Sequence, residues 1–282
     1  MTKLTEVFRY GVGGIDTVAT KIRHGEEFIK SNNEINIFGD DKAYIYLPIS
    51  QEKIKKQMLG LYKKIIDSGV SPEDICVYTS YRKGDYGTIK LNRQLQMIAN
   101  KNCGSKNRIT IGRADDETNY YIGDSVMQVV NNYKAEIYDE NSLNGFGDYD
   151  LTDKEAFISN GDMGKIINIG KDNHGQFLVI RFDDYDIKYH KNNLINNIRF
   201  AYSVTVHKSQ GGKCRIAILL TPKAHTFMLN SNLIYVGATR AEEKVYHLGE
   251  PSVINRAIKK KANFDRDTYL QELLMKEGEN NK

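Results

Sequence analysis

The sequence predicts an α/β protein, a parallel sheet covered by helices, with a small β-rich module inserted into it. Three observations carry this. Strand-like and helix-like stretches alternate up to about residue 115, short β-rich pieces fill the chain to about residue 200, and the alternation then resumes.

Tyr44-Ile45-Tyr46-Leu47 has the β-branched and aromatic composition of a strand. Gln51 to Asp67 places Ile54, Met58, Leu61 and Ile65 at helical spacing, and Asp74 to Thr79 is an apolar run of the kind buried on both faces. Gly87 to Ala99 repeats the helical pattern through Ile89, Leu91, Leu95 and Ile98. Strand, helix, strand and helix in this order imply βαβ units and a parallel sheet.

From Ser125 to Phe200 the pieces are short. Val126–Val130, Gly164–Ile169, Phe177–Phe182 and Ile187–His190 read as strands, divided by turn clusters such as Ser159-Asn160-Gly161-Asp162. That spacing predicts a small barrel, with the acidic stretch Asp139 to Asp153 as an exposed loop. Beyond residue 200 come strands over Tyr202–Val206 and Arg215–Thr221, a helix over Phe227–Glu243 and a strand over Lys244–Leu248. Asn263 to Lys282 reads as a terminal helix that runs into a polar tail. The expected domains are therefore 1–115 with 201–282, and an inserted 116–200.

With 282 residues, 40% hydrophobic and 27% charged, the chain can bury a full core. It lacks an apolar run long enough to span a membrane, and its first residues, MTKLTEVFRY, do not read as a signal peptide, so a cytoplasmic protein is expected. Cys76, Cys103 and Cys214 are far apart and odd in number, which argues against a disulfide framework or a zinc site. The net charge of +4 is unevenly spread. Residues 199–282 carry 14 Lys and Arg against 8 Asp and Glu, whereas Glu136 to Glu155 holds seven acids and one lysine. An anionic ligand would be drawn to the C-terminal part.

Two stretches carry candidate chemistry. VTVHKSQGG, Val204 to Gly212, breaks an apolar strand with basic and small polar residues. Such a stretch either simply turns, or brings backbone amides and the basic side chains of His207 and Lys208 to a phosphate. YVGATRAEEKV, Tyr235 to Val245, contains Arg240, either a solvated partner of Glu243 or a fork aimed at a phosphate.

In this order, each beside a strand, the two stretches resemble motifs V and VI of superfamily 1 helicases of the RecD-like and Dda-like group. LTEVFRY, Leu4 to Tyr10, is similar to that family's motif IV, although Tyr10 stands where glutamine is common. YRKGDYGTIKLNRQLQ, from Tyr81, resembles its glycine-punctuated turn into a helix, and GDSVMQVVNNY and SNGDMGKI resemble parts of its inserted barrel. The resemblance spans nearly the whole chain.

The resemblance implies the second RecA-like motor domain of a P-loop NTPase type, interrupted by a Src-homology-3-like barrel. It implies that Arg9 and Arg240 act on the γ-phosphate of ATP, and that Gly211, Gly212 and Lys213 lie near the nucleotide. Lys213 replaces a glutamate that often bonds the ribose. Single-stranded DNA would be held by Thr79, Tyr81, Lys83, Asn92, Thr205, His207, Lys208 and Ser209. No G-x-x-x-x-G-K-[ST] loop is found in this sequence. ATP and Mg²⁺ would therefore be held mainly by an N-terminal RecA-like domain that this chain lacks, and the chain alone would not hydrolyse ATP. The expected assembly is a monomer with 5′ to 3′ polarity, and no metal is expected on the chain's own residues. A stand-alone single-strand-binding module, or a regulator lending its arginines in trans, is the alternative.

Overall fold

The computed structural model describes residues 13–29, 34–112, 117–138, 155–183, 185–209 and 212–260. Arg9, Gly211, the stretch Leu4 to Tyr10, the predicted loop Asp139 to Asp153 and the predicted terminal helix lie outside the described residues.

In chain order the elements are α1 (Gly14–His24), β1 (Asn36–Phe38), β2 (Tyr44–Pro48), α2 (Gln51–Asp67), β3 (Ile75–Thr79), α3 (Thr88–Ala99), β4 (Arg108–Ile111) and β5 (Thr118–Tyr121). The insertion continues with β6 (Ser125–Gln128), β7 (Asn132–Glu136), β8 (Glu155–Ile158), β9 (Met163–Asp172), β10 (Gly175–Phe182), β11 (Tyr185–His190), α4 (Lys191–Asn197) and β12 (Ile198–Phe200). The chain then returns through β13 (Ser203–Thr205), β14 (Cys214–Thr221), α5 (Ser231–Ala238), β15 (Ala241–Gly249) and α6 (Pro251–Lys259).

The main sheet has the order β1-β2-β15-β14-β3-β13. Five strands are parallel and β1 is an antiparallel edge. Helices cover both faces, and the strand period of two divides the apolar side chains between them. Ile216, Ile218 and Leu220 of β14 join Ile75 and Val77 of β3 in one core with Ile54 and Met58 of α2 and Leu91 of α3. The alternate residues Ala217, Leu219 and Tyr78 join Val18 of α1, Ile234 of α5 and Ile254 of α6 in the other.

His247 locks three central strands together. It is fully buried in β15; the Tyr44 hydroxyl of β2 donates to Nδ1 at 2.6 Å, and Nε2 lies 3.0 Å from the Thr221 hydroxyl oxygen of β14. Thr221 in turn donates to the Leu248 carbonyl at 3.2 Å. The ring is therefore a neutral imidazole protonated on Nε2, and burial pushes its pKa down to about 3.

One expected element differs. The predicted helix over Phe227–Glu243 is shortened to Ser231–Ala238, and its last residues belong to β15. Asn230 starts the helix, its Oδ1 accepting from the Leu233 amide at 2.9 Å. Ala241 pairs with Cys214, and the ladder to β14 continues to Gly249. Backbone pairing in the middle of a sheet thus overrides the helix preference of Ala-Glu-Glu-Lys.

The insertion forms a second, antiparallel sheet of order β11-β10-β9-β6-β12, with separate hairpins β4–β5 and β7–β8. Among the described residues the isolated Ile137–Ile187 bridge is the one strand-type pair that ties the β7–β8 hairpin to this sheet. Among the described residues the edge strands β11 and β12 of this sheet do not pair with each other. The β4–β5 hairpin spans the predicted boundary near residue 115.

The insertion shares the core of the α2 and α3 face, where Val126, Ile166 and Ile180 pack in the same cluster as Met58 and Leu95. Asp124, fully buried, fastens the junction. Its Oδ1 accepts from Asn100 Nδ2 at 2.7 Å and from the Tyr202 hydroxyl at 2.9 Å. Its Oδ2 accepts from Gln96 Nε2 at 2.6 Å and from the Tyr121 amide at 2.8 Å. Burial raises the carboxyl above its ordinary value, and these donors pull the other way. Asp124→Asn turns at least one acceptor into a donor facing donors, and should lower unfolding stability by about 2–4 kcal/mol in a urea titration.

Candidate functional site

The C-terminal edge of a parallel sheet is where loops gather side chains for ligands. Here β3 and β13 end together, with Thr205 in register with Thr79. After Thr79 the chain turns tightly into α3: Thr88 and Ile89 donate their amides to the Tyr81 and Arg82 carbonyls at 3.1 Å. A Cβ on Gly87 would stand 2.4 Å from the Lys83 carbonyl oxygen, so this turn needs glycine. It leaves Lys83 exposed and Tyr81 half-buried.

Tyr81 meets a residue that the sequence reading passed over. His225 follows β14 on a short 3-10 turn, and the Tyr81 ring lies edge-on to it with centroids 4.8 Å apart. Tyr86 packs on it at 6.1 Å and the Thr79 hydroxyl lies 3.4 Å from Nδ1. Burial pushes His225 down to about 4, so it is neutral near pH 7. A histidine four residues past a central strand, Thr221-Pro222-Lys223-Ala224-His225, was the available signal.

From Thr205 the chain crosses β3 to reach β14, and this short crossover carries the Val204 to Gly212 motif. It coils first: Lys208 and Ser209 donate their amides to the Thr205 carbonyl at 2.9 and 3.2 Å. His207 and Lys208 are exposed, whereas Ser209 is buried with its hydroxyl donating to the Val206 carbonyl at 2.7 Å. Lys208 Nζ reaches the insertion, donating to the Val129 carbonyl and to Asn160 Oδ1, each at 3.1 Å.

The crossover ends beside Arg240. This residue sits in the turn between α5 and β15, only 5% exposed. Its Nη1 donates to the Ser209 and Gly212 carbonyls at 3.2 Å and its Nε to the Val236 carbonyl at 3.2 Å. The pairing with Glu243 considered from sequence is replaced: Glu243 pairs with Arg215 at 2.7 Å.

The predicted site residues thus fall into two groups. Thr79, Tyr81, Lys83 and Thr205 lie at the C-terminal edge of the sheet, while Gly212, Lys213 and Arg240 lie at the opposite edge, where β14 and β15 begin. His207, Lys208 and Ser209 lie on the crossover between them. Several are already engaged. Asn92 is buried in α3, with Nδ2 donating to the Ser203 carbonyl at 2.8 Å and Oδ1 accepting from its amide at 2.7 Å, so it clamps β13. Thr79 donates to the Tyr86 carbonyl at 2.8 Å, the Gly212 amide donates to the Ser209 carbonyl at 3.1 Å, and Lys213 pairs with Glu242 at 3.1 Å.

A parallel sheet whose crossover loop carries exposed basic residues at one end and holds a buried arginine at the other is an α/β scaffold that can present positive charge to an anionic ligand. Residues 200–247, which include both motifs, match the UvrD-like helicase C-terminal domain. The chain is 29% identical over 181 residues to the ATP-dependent RecD2 DNA helicase of Deinococcus radiodurans, covering 64% of this chain and 21% of that protein. It is 28% identical over 220 residues to the RecBCD enzyme subunit RecD of Buchnera aphidicola, covering 75% of this chain and 30% of that one. A solved Pif1 helicase from Bacteroides in complex with ADP-AlF3 and ssDNA superposes with a TM-score of 0.47 at 16% identity, over 99% of this chain and 57% of that one. The chain is related to the C-terminal part of RecD-like superfamily 1 helicases, and spans less than a third of the length of these two curated relatives. Among the described residues no helix is long and apolar enough to cross a membrane.

His225 and His247 have folded pKa values below the unfolded value near 6.5. The unfolded chain therefore takes up protons first as the pH falls, and stability is lost below pH 6.5. Between pH 7 and pH 5 each imidazole should remove about 2 kcal/mol, read from urea unfolding at the two pH values. His225→Gln should remove its own share of that drop.

Proposed function

We propose that this chain is the C-terminal motor half of an ATP-dependent DNA helicase. The observation that carries the reading is the Val206–Lys213 crossover, which starts beside the exposed His207 and Lys208 and ends on the guanidinium of Arg240. It lies within the segment that matches the UvrD-like helicase C-terminal domain.

In this reading His207, Lys208, Lys83 and Tyr81 face single-stranded DNA. The cationic groups meet phosphates and the Tyr81 ring offers a base a partner. Thr79, Asn92, Thr205 and Ser209 shape that surface by holding the strand ends and the crossover.

Arg240 acts at the other edge, where it neutralises charge that develops on a transferred phosphoryl group, together with Arg9. Its setting fits that task. Three backbone carbonyls accept from the guanidinium and set its direction. Bound ATP with Mg²⁺ supplies the phosphoryl-transfer chemistry, cradled mainly by a RecA-like domain N-terminal to these residues. Gly211, Gly212 and Lys213 border the nucleotide; release of Lys213 from Glu242 would let its amine approach.

The insertion, as a Src-homology-3-like module, lies along the strand on the outer side. The protein translocates 5′ to 3′ as a cytoplasmic monomer, and the chain by itself does not hydrolyse ATP. The same crossover that grips phosphate also seats Arg240, so the two events are mechanically linked through one short loop.

Two outcomes are expected. The chain should bind a labelled single-stranded oligonucleotide with an affinity that falls as salt rises, and Lys208→Ala should reduce the slope of log affinity against log salt by about one. In a protein carrying both motor domains, Arg240→Ala should lower steady-state ATP turnover by about 10³-fold or more. Arg240→Lys, which keeps the charge without the fork, should recover little of it.

A further inference from the structure

The β7–β8 hairpin displays an aromatic pair that the core does not use. Tyr133 and Phe157 stack with centroids 5.0 Å apart and ring planes 26° from parallel. They are 70% and 52% exposed, while Ala135, Ala156 and Ile158 of the same hairpin are buried. The hairpin thus has a dry face of small residues and a wet face that carries its two largest rings. Exposed rings held flat against each other are a rigid π surface awaiting a third ring.

A hydrogen-bonded chain links this pair to the crossover. Asn131 Nδ2 donates to the Tyr133 hydroxyl at 3.1 Å, and Asn131 Oδ1 accepts from the Asn160 amide at 2.9 Å. Asn160 Oδ1 accepts from Lys208 Nζ at 3.1 Å. A cleft of about 560 Å³, lined by Phe157, Asn160, Met163, Tyr185, Gly212 and Lys213, runs from the hairpin to the end of the crossover. Glu155 faces Lys134 at 3.9 Å and Glu136 faces Lys188 at 3.5 Å, while Asp162 and Asp183 also line the cleft, so this surface offers a ring contact rather than a phosphate site.

We propose that Tyr133 and Phe157 form a stacking platform for an unpaired base of a single-stranded nucleic acid whose backbone passes Lys208. This rests on the proposed single-strand binding, and adds to the base contact given to Tyr81 a second one, on the insertion. Stacking accepts any base, because every base has a π face, so the platform would hold a moving strand without reading its sequence.

The chain contains no tryptophan, so Tyr133→Trp gives a unique fluorophore that retains an aromatic surface. Oligothymidine should quench the indole, and an abasic deoxyribose-phosphate oligomer of equal length should not. In anisotropy titrations Tyr133→Ala and Phe157→Ala should weaken oligothymidine binding about 10- to 100-fold and leave the abasic oligomer unaffected. Both side chains are exposed, so these variants should fold.

If oligothymidine binds while the indole emission is unmoved and Tyr133→Ala binds as wild type does, the platform is overturned and the strand-binding reading stands. If the wild-type chain binds no oligonucleotide, both fall. If Tyr133→Ala leaves oligothymidine affinity intact but abolishes self-association in sedimentation, the rings are a protein contact and the platform is likewise overturned.

Discussion

A buried carboxylate without solvent demands donors on every side, and Asp124 obtains four from three parts of the chain. Gln96 comes from α3 and Asn100 from the residue that follows it, the Tyr121 amide from the end of β5, and the Tyr202 hydroxyl from the residue just before β13. Its own backbone carbonyl accepts from Ile166 of β9 at 3.0 Å. These hydrogen bonds tie the strands of the insertion to α3 and β13 beside the apolar cluster that both sheets share. Tyr202 also receives the Ser125 amide at 3.2 Å, so the same phenol serves the strand that begins the insertion's sheet.

The second constraint is backbone economy in the crossover from β13 to β14. A connection between parallel strands normally employs a helix. This one makes the passage in a few residues, and side chains as well as amides bond its carbonyls. Arg240 provides donors to two of them, and the Ser209 hydroxyl provides one to a third. The arginine is therefore as much a structural member of the loop as a candidate phosphate ligand. A shift of the loop away from Arg240 breaks the Nη1 bonds to Ser209 and Gly212, which couples loop position to guanidinium position.

Much of the α/β body was legible because its signals are local. α2 spans the predicted Gln51–Asp67, although Tyr62 rather than Leu61 joins the core, and β3 lies within the predicted apolar run. α1 and α6 went unread although both are amphipathic, since short helices at Gly14 and Pro251 lie among glycines and polar residues that suggest turns. The Ala-Glu-Glu-Lys segment misled because strand identity there depends on the partner Cys214 to Ile216. At the site, exposed cations were legible as cations, but the engagement of Asn92, Ser209 and Gly212 was not, because their partners lie on other elements. His225 became visible only once Tyr81 and Tyr86 were brought around it.

The membership of Val126, Ile166 and Ile180 in one apolar cluster with Met58 and Leu95 has a mechanical corollary. A module hung on a flexible stalk would swing independently and dissipate any push applied to it; one that shares its interior with its host behaves as a bracket welded to a beam. Pruning the bracket would open the apolar cluster it shares with α2 and α3, so evolution could trim its outer loops freely but not its root.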